Sequence, residues 1–173
     1  MREGLRRRSI RLPGFDYTRP GAYFLTICTD GRACMFGEVV EGEMRLNEAG
    51  RIVEECWEAI PAHFPIVGLD VFVIRPNHIH GIAIIAEGRG TPWRAPTAEH
   101  FQKPVAGSIP TIIRSYKSAV TKQINELRRT PGGVVWQHNY YEHIARDERD
   151  LNSIRAYIQS NPTRWKEDRN GFQ

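Results

Sequence analysis

Cysteine is scarce: Cys28, Cys34 and Cys56 are three in 173 residues, and none forms a Cys-x-x-Cys pair. An odd count without paired spacing argues against a disulfide framework and a cysteine-built zinc site, and suits a reducing compartment. Long apolar runs are missing as well. No segment approaches the ~18 consecutive apolar residues that a membrane span requires. The N-terminal residues are basic, but no apolar stretch follows before Pro13. The expectation is therefore a cytoplasmic protein with no secretory signal and no membrane partner. Internal repeats are absent too, and 173 residues suit one domain spanning positions 1–173. With 40% hydrophobic and 25% charged residues, the balance is that of a folded chain.

Charge is unevenly spread. The formal net charge is +4, which by itself says little about a polyanionic partner. Residues 1–19 carry six arginines and two acids, residues 38–70 two arginines and eight acids, and residues 103–129 six bases and one acid. Such segregation reads either as a basic face for nucleic acid or as clustered solvated charge. Positions 1–20 form a basic N-terminal arm on this reading. Residues 87–106, rich in Gly, Pro, Arg and Thr, form a long loop whose length marks it as functional or mobile.

Periodicity orders the remaining chain. Residues 23–28 (YFLTIC) are β-branched and aromatic and read as a strand, with 36–46 as a hairpin partner or a poorer strand. Asn47 is placed to cap a helix whose stripe is Ile52, Val53, Cys56, Trp57 and Ile60. Residues 69–74 (LDVFVI) are apolar at nearly every position, as a central strand would be, and 78–85 resume antiparallel after a short turn at Arg75, Pro76 and Asn77. Ser108 and Pro110 open a second helix with Ile109, Ile112, Ile113, Tyr116, Val120, Ile124 and Leu127 on one face. Residues 134–144 read as an aromatic edge strand. Asp147 caps a last helix with Leu151, Ile154 and Ile158 as its stripe, ended by Pro162. This order predicts an α+β fold, a ferredoxin-like sandwich in which helices pack on a small antiparallel sheet.

His78 and His80 flank one residue at the start of a strand, so both imidazoles project from the same face. Two convergent imidazoles can chelate one divalent ion; two satisfied core histidines are the alternative. Of four tyrosines considered as nucleophiles, Tyr116 falls in a core stripe, and alternation buries one of Tyr140 and Tyr141. Tyr157 is followed four residues later by Asn161, which sets a phenol and an amide oxygen on one helix face. An amide oxygen suits Mg²⁺ or Mn²⁺, but an amphipathic rim tyrosine and a helix C-terminal asparagine satisfy the same spacing.

Residues 75–81 (RPNHIHG), 113–120 (IRSYKSAV), 135–143 (VWQHNYYEH) and 157–162 (YIQSNP) together resemble the REP-associated tyrosine transposases. These form a group within the single-tyrosine His-hydrophobic-His (HUH) endonucleases and transposases. The likeness runs from about Tyr23 to Trp165, with the motifs in the family's order. It implies that His78, His80 and Asn161 hold a divalent metal, Mg²⁺ or Mn²⁺, and that Tyr157 is the catalytic nucleophile. The implied activity is metal-dependent cleavage and strand transfer on hairpin-associated single-stranded DNA through a 5′-phosphotyrosine. Relatives of this kind work as monomers or as homodimers with exchanged tyrosine helices, and such a protein would be cytoplasmic and nucleoid-associated. The sequence stops soon after the tyrosine helix, so a longer C-terminal DNA-binding tail is not expected.

The basic segments then acquire a purpose. Arg6, Arg7, Arg8, Arg11, Arg114, Lys117 and Lys122 are candidates for phosphate contacts. Trp93 is the foremost candidate for stacking an unpaired base, with Trp165 behind it, whereas Trp57 and Trp136 read as core. His138 and His143 read as surface or core histidines, with DNA contact the alternative. Two other function classes compete: a domesticated, non-catalytic binder of DNA hairpins, and a phosphoesterase with paired His-x-Thr/Ser motifs. No second motif of that kind is present, which disfavours the phosphoesterase.

Overall fold

A computed structural model describes residues 15–86 and 105–160. Six strands and four helices follow in the order β1 (Gly21–Cys28), β2 (Gly37–Val40), β3 (Glu43–Leu46), α1 (Glu48–Glu58), α2 (Ile60–His63), β4 (Val67–Arg75), β5 (His78–Ile85), α3 (Ile109–Arg128), β6 (Tyr141–Ile144) and α4 (Glu148–Ser160). The main sheet has the order β4-β5-β1-β6 and every neighbouring pair is antiparallel. It is the expected α+β sandwich with helices on a small antiparallel sheet.

Strand alternation divides the molecule into two layers of unequal depth. Tyr23, Leu25, Ile27, Ile79, Ala83 and Ile85 point to one side, where they meet Val53 and Trp57 of α1 and Ile112, Ile113, Tyr116, Val120 and Ile124 of α3. Gly81 stands on that side because a Cβ there would lie 2.5 Å from the Trp57 ring, which stacks on Phe72. Phe24, Ile82 and Ile158 are buried on the other face, flanked by Val71, Val73, Ile84, Leu151, Ile154 and Tyr157. Among the described residues, that thin layer supplies the apolar packing of α4.

Local chemistry sets the helix starts. The Asn47 side chain accepts from the Gly50 amide at 2.9 Å, and Asp147 accepts from the Asp150 amide at 2.8 Å, each satisfying an orphan donor of a first turn. Ser108 stands at the N-cap of α3 as expected but makes no side-chain capping bond to the backbone: it is buried, its hydroxyl lies 3.2 Å from that of Thr111, and Pro110 stands in the first turn. Leu127, placed on the core stripe by periodicity, is 42% exposed in the last turn of α3.

Three strand expectations are also revised. Residues 36–46 form a separate two-stranded hairpin, β2-β3, outside the main sheet. β4 is an edge strand rather than a central one. Its nearly continuous apolar character goes with cover by α1, α2 and α4, all of which contact it. Of the proposed 134–144 strand, Tyr141–Ile144 forms a regular ladder with β1, and Trp136 adds a single antiparallel bridge to Thr29 just past the end of β1. Upstream, the Lys117 ammonium takes the carbonyls of Gln137 and His138 at 2.5 and 3.1 Å, carbonyls that a ladder would need.

Candidate active site

β5 presents His78 and His80 to the α4 side of the sheet. Their Nε2 atoms lie 3.1 Å apart, and the opposite nitrogens are tied to separate partners. Nδ1 of His78 is 2.7 Å from Asn77 Oδ1. The Asn77 amide is oriented by its own Nδ2, which donates to the Arg32 carbonyl at 3.2 Å. An amide oxygen can only accept, so His78 carries its proton on Nδ1 and turns a lone pair toward His80. Nδ1 of His80 lies 2.8 Å from the Thr26 hydroxyl, directly across the β1–β5 register. Two nitrogens this close need a positive centre between them, either a proton or a metal ion. The spacing is also that of two neighbouring nitrogen ligands on one small divalent ion at ~2.1 Å, so the pair fits a metal.

Burial drives both imidazoles toward the neutral form. His78 is lowered to about 4 by desolvation, with the charges of Arg75 and Arg32 adding to the effect. His80 is lowered to about 3 by desolvation, then by His78 and Arg75. Neutral imidazole is the form that binds metals. The same two guanidiniums give the site a positive field suited to an anionic ligand.

α4 completes the arrangement from above. The Tyr157 ring lies edge-on to His80 with centroids 5.6 Å apart, and edge-on to Phe24 at 6.1 Å. Phe24 in turn stacks on His80 at 5.6 Å. A groove of about 300 Å³ opens beside Tyr157, lined by Phe24, Tyr141, His143, Ser153 and Ile154. His143 pairs with Asp150 at 3.0 Å. Among the described residues, no cluster of three or more His, Cys, Asp and Glu side chains could form a metal site. A further protein ligand for the His78–His80 pair would have to be a carboxamide or hydroxyl, or lie outside those residues.

The structure thus brings His78, His80 and Tyr157 onto one face. Asn161, Arg6, Arg7, Arg8, Arg11, Trp93 and Trp165 lie outside the described residues. Arg114, Lys117 and Lys122 ride on α3, across the sheet from the imidazoles, and Lys117 is engaged by backbone carbonyls. Tyr116, Trp57 and Trp136 are core, at 3%, 1% and 5% exposure, and Tyr141 is exposed while Tyr140 packs against the core. Sequence reasoning missed Thr26, Phe24 and Arg32, which reach the site only through strand register and chain reversal. Asn77 adjoins His78 and was within reach of a motif reading.

No family model matches the chain. A Haemophilus influenzae protein named only as uncharacterized is 43% identical over 166 residues, covering 94% of this chain and 91% of that protein. A second protein of the same organism, named a putative REP-associated tyrosine transposase, is 23% identical over 149 residues, 86% of this chain and 74% of its own length. Among solved structures, a REP-associated tyrosine transposase bound to a REP hairpin superposes with a TM-score of 0.56 and 18% identity, over 91% of this chain and 73% of that one. The chain belongs to one family with the 43% identical Haemophilus influenzae protein, and the family it resembles, in sequence and in fold, is that of the REP-associated tyrosine transposases.

Proposed function

We propose that this chain is a transposase-like DNA-processing enzyme that cleaves and rejoins hairpin-associated single-stranded DNA through Tyr157. One observation carries the reading: the phenol ring of α4 stands 5.6 Å from His80, on the face that also bears His78. The substrate class rests on the names of the relatives, one a putative REP-associated tyrosine transposase and one bound to a REP hairpin.

A phenol with a pKa near ~10 is almost wholly protonated at neutral pH and is a weak nucleophile unaided. His78, His80 and Asn161 would hold Mg²⁺ or Mn²⁺, which when bound supplies charge neutralisation at a phosphate oxygen. The chain's own residues do the rest. Asn77 and Thr26 lock the two imidazoles so that their Nε2 atoms converge, and Arg75 and Arg32 supply a positive field for the phosphate. The Tyr157 oxygen forms a bond to phosphorus as the bond to the 3′ oxygen breaks. The phenolic proton is released, the 3′ oxygen takes one up, and a 5′-phosphotyrosine and a free 3′-hydroxyl remain. The covalent link retains the phosphodiester energy, so joining to a second 3′-hydroxyl needs no nucleotide cofactor.

Incubating the protein with end-labelled hairpin single strands and Mn²⁺, then separating on a denaturing gel, tests this. The expected result is a covalent protein–DNA adduct that disappears in Tyr157→Phe while hairpin retention stays within about threefold. Retention without any adduct would instead identify a non-catalytic hairpin binder.

A further inference from the structure

α4 is attached to the sheet by little apolar surface. Ile158 is its only fully buried side chain among the described residues, in a layer shared with Phe24 and Ile82. Yet its ring-bearing residue has to stand over the histidines, which lie on the inner strand β5. Two side-chain contacts span the gap, a hydrogen bond to one edge of the sheet and an ion pair to the other. Near the start of α4, Asp150 Oδ2 meets His143 Nε2 of edge strand β6 at 3.0 Å and also accepts from the Arg146 amide at 3.0 Å. One turn later, Arg155 reaches the opposite edge strand: its Nε and Nη2 both donate to Asp70 Oδ2, at 2.8 and 2.6 Å.

Asp70 is placed for this by an irregularity in β4. The register with β5 runs Leu69↔Ala83 and then Phe72↔Gly81, so Asp70 and Val71 together oppose one residue. This is a β-bulge, and bulges redirect side chains. The Val71 amide is taken by Asp70 Oδ1 at 2.8 Å, which leaves Oδ2 for Arg155. The guanidinium is steadied further by Asn152 Oδ1 at 2.9 Å and Glu148 Oε1 at 3.3 Å. Neither partner is exposed: the Arg155 and Asp70 side chains are 31% and 18% accessible.

We propose that the bulge-presented Asp70 and Arg155 form a clasp that docks α4 across the sheet, making both of them positioning residues for Tyr157. The docking half stands on geometry alone, whereas the positioning half rests on the reading of Tyr157 as nucleophile. Arg155 lies two residues before Tyr157 in the same helix. A slip of α4 along the sheet when the clasp opens therefore moves the phenol with it, and misplacement by about 1 Å costs on the order of a hundredfold in rate.

Asp70→Asn is the sharpest probe, because it keeps shape and the acceptor for Val71 while removing the charge. Arg155→Gln removes the other partner, and Arg155→Lys keeps charge with fewer donors. Two readouts separate the two halves. Amide hydrogen exchange in DNA-free protein is expected to quicken at least tenfold across 151–160 in Asp70→Asn and Arg155→Gln. Exchange in α3 should not change, and Arg155→Lys should fall between. Single-turnover adduct formation with a hairpin strand and Mn²⁺ is expected to slow roughly ten- to a hundredfold in the same order, with hairpin affinity within about threefold. Unchanged exchange in α4 overturns the clasp. Changed exchange with an adduct rate equal to wild type overturns positioning. If wild type forms no adduct while exchange responds as expected, the clasp stands and the assignment of Tyr157 as nucleophile falls.

Discussion

His80 is 1% exposed and His78 is largely buried beside it, so two imidazoles are kept out of water close to two arginines. That costs proton affinity, and the direction of the consequence for stability follows. In metal-free protein the unfolded imidazoles take up protons from about pH 6.5 downward. The folded ones resist until about 4 for His78 and about 3 for His80. Between those limits the unfolded chain binds more protons, so stability is complete above the unfolded value and declines as pH falls from 6.5 toward 4. Urea unfolding with a chelator present should lose about 1 kcal/mol per imidazole between pH 7 and pH 5.5. The double variant His78→Gln with His80→Gln should flatten that slope, and an undiminished slope would show that other groups titrate. The His-x-His pair itself was visible in the sequence because strand period puts both rings on one face. The partner of His80 was not. Thr26 meets His80 only because β1 and β5 pair in one register, and a one-residue slip would have turned it to the other side.

At the scale of elements, the helices divide by what they bury. α1 and α3 carry continuous apolar stripes into the deep layer, and their positions were legible from period and caps. α4 has a sparser stripe and a thin layer beneath it. Ile158→Ala should therefore cost about 2–5 kcal/mol in the free energy of opening α4. The loss is local, because the α1–α3 layer does not depend on it. Hydrogen exchange resolved along the chain should show protection falling in 148–160 while α3 and β5 keep theirs. Equal loss throughout would mean that α4 unfolds only with the whole molecule. The edge strands were the least legible elements. β4 reads as central because helices cover it, and burial by a helix leaves the same apolar signature as burial by another strand. β6 reads too long because pairing is interrupted between the Trp136 bridge to Thr29 and Tyr141; the Lys117 contacts to two carbonyls in that interval could not be anticipated from spacing.

At the scale of the molecule, Tyr157 and His80 touch within a single chain. If the proposed chemistry holds, Tyr157→Phe and His80→Ala chains should each lack adduct formation, and mixing them should restore nothing. Recovery in the mixture would mean that tyrosine helices exchange between protomers. No helix among the described residues is long and apolar enough to cross a membrane. The amino-acid order by itself determined the antiparallel α+β layout, the helix starts at Asn47 and Asp147 and the shared face of the two histidines. Each follows from short-range periodicity and capping chemistry. Only tertiary structure decided that α4 crosses the sheet with its phenol over those histidines, held by Asp70 on one edge strand and His143 on the other. Residues 70 and 155 are far apart along the chain, and nothing local to either encodes the bulge that makes them meet.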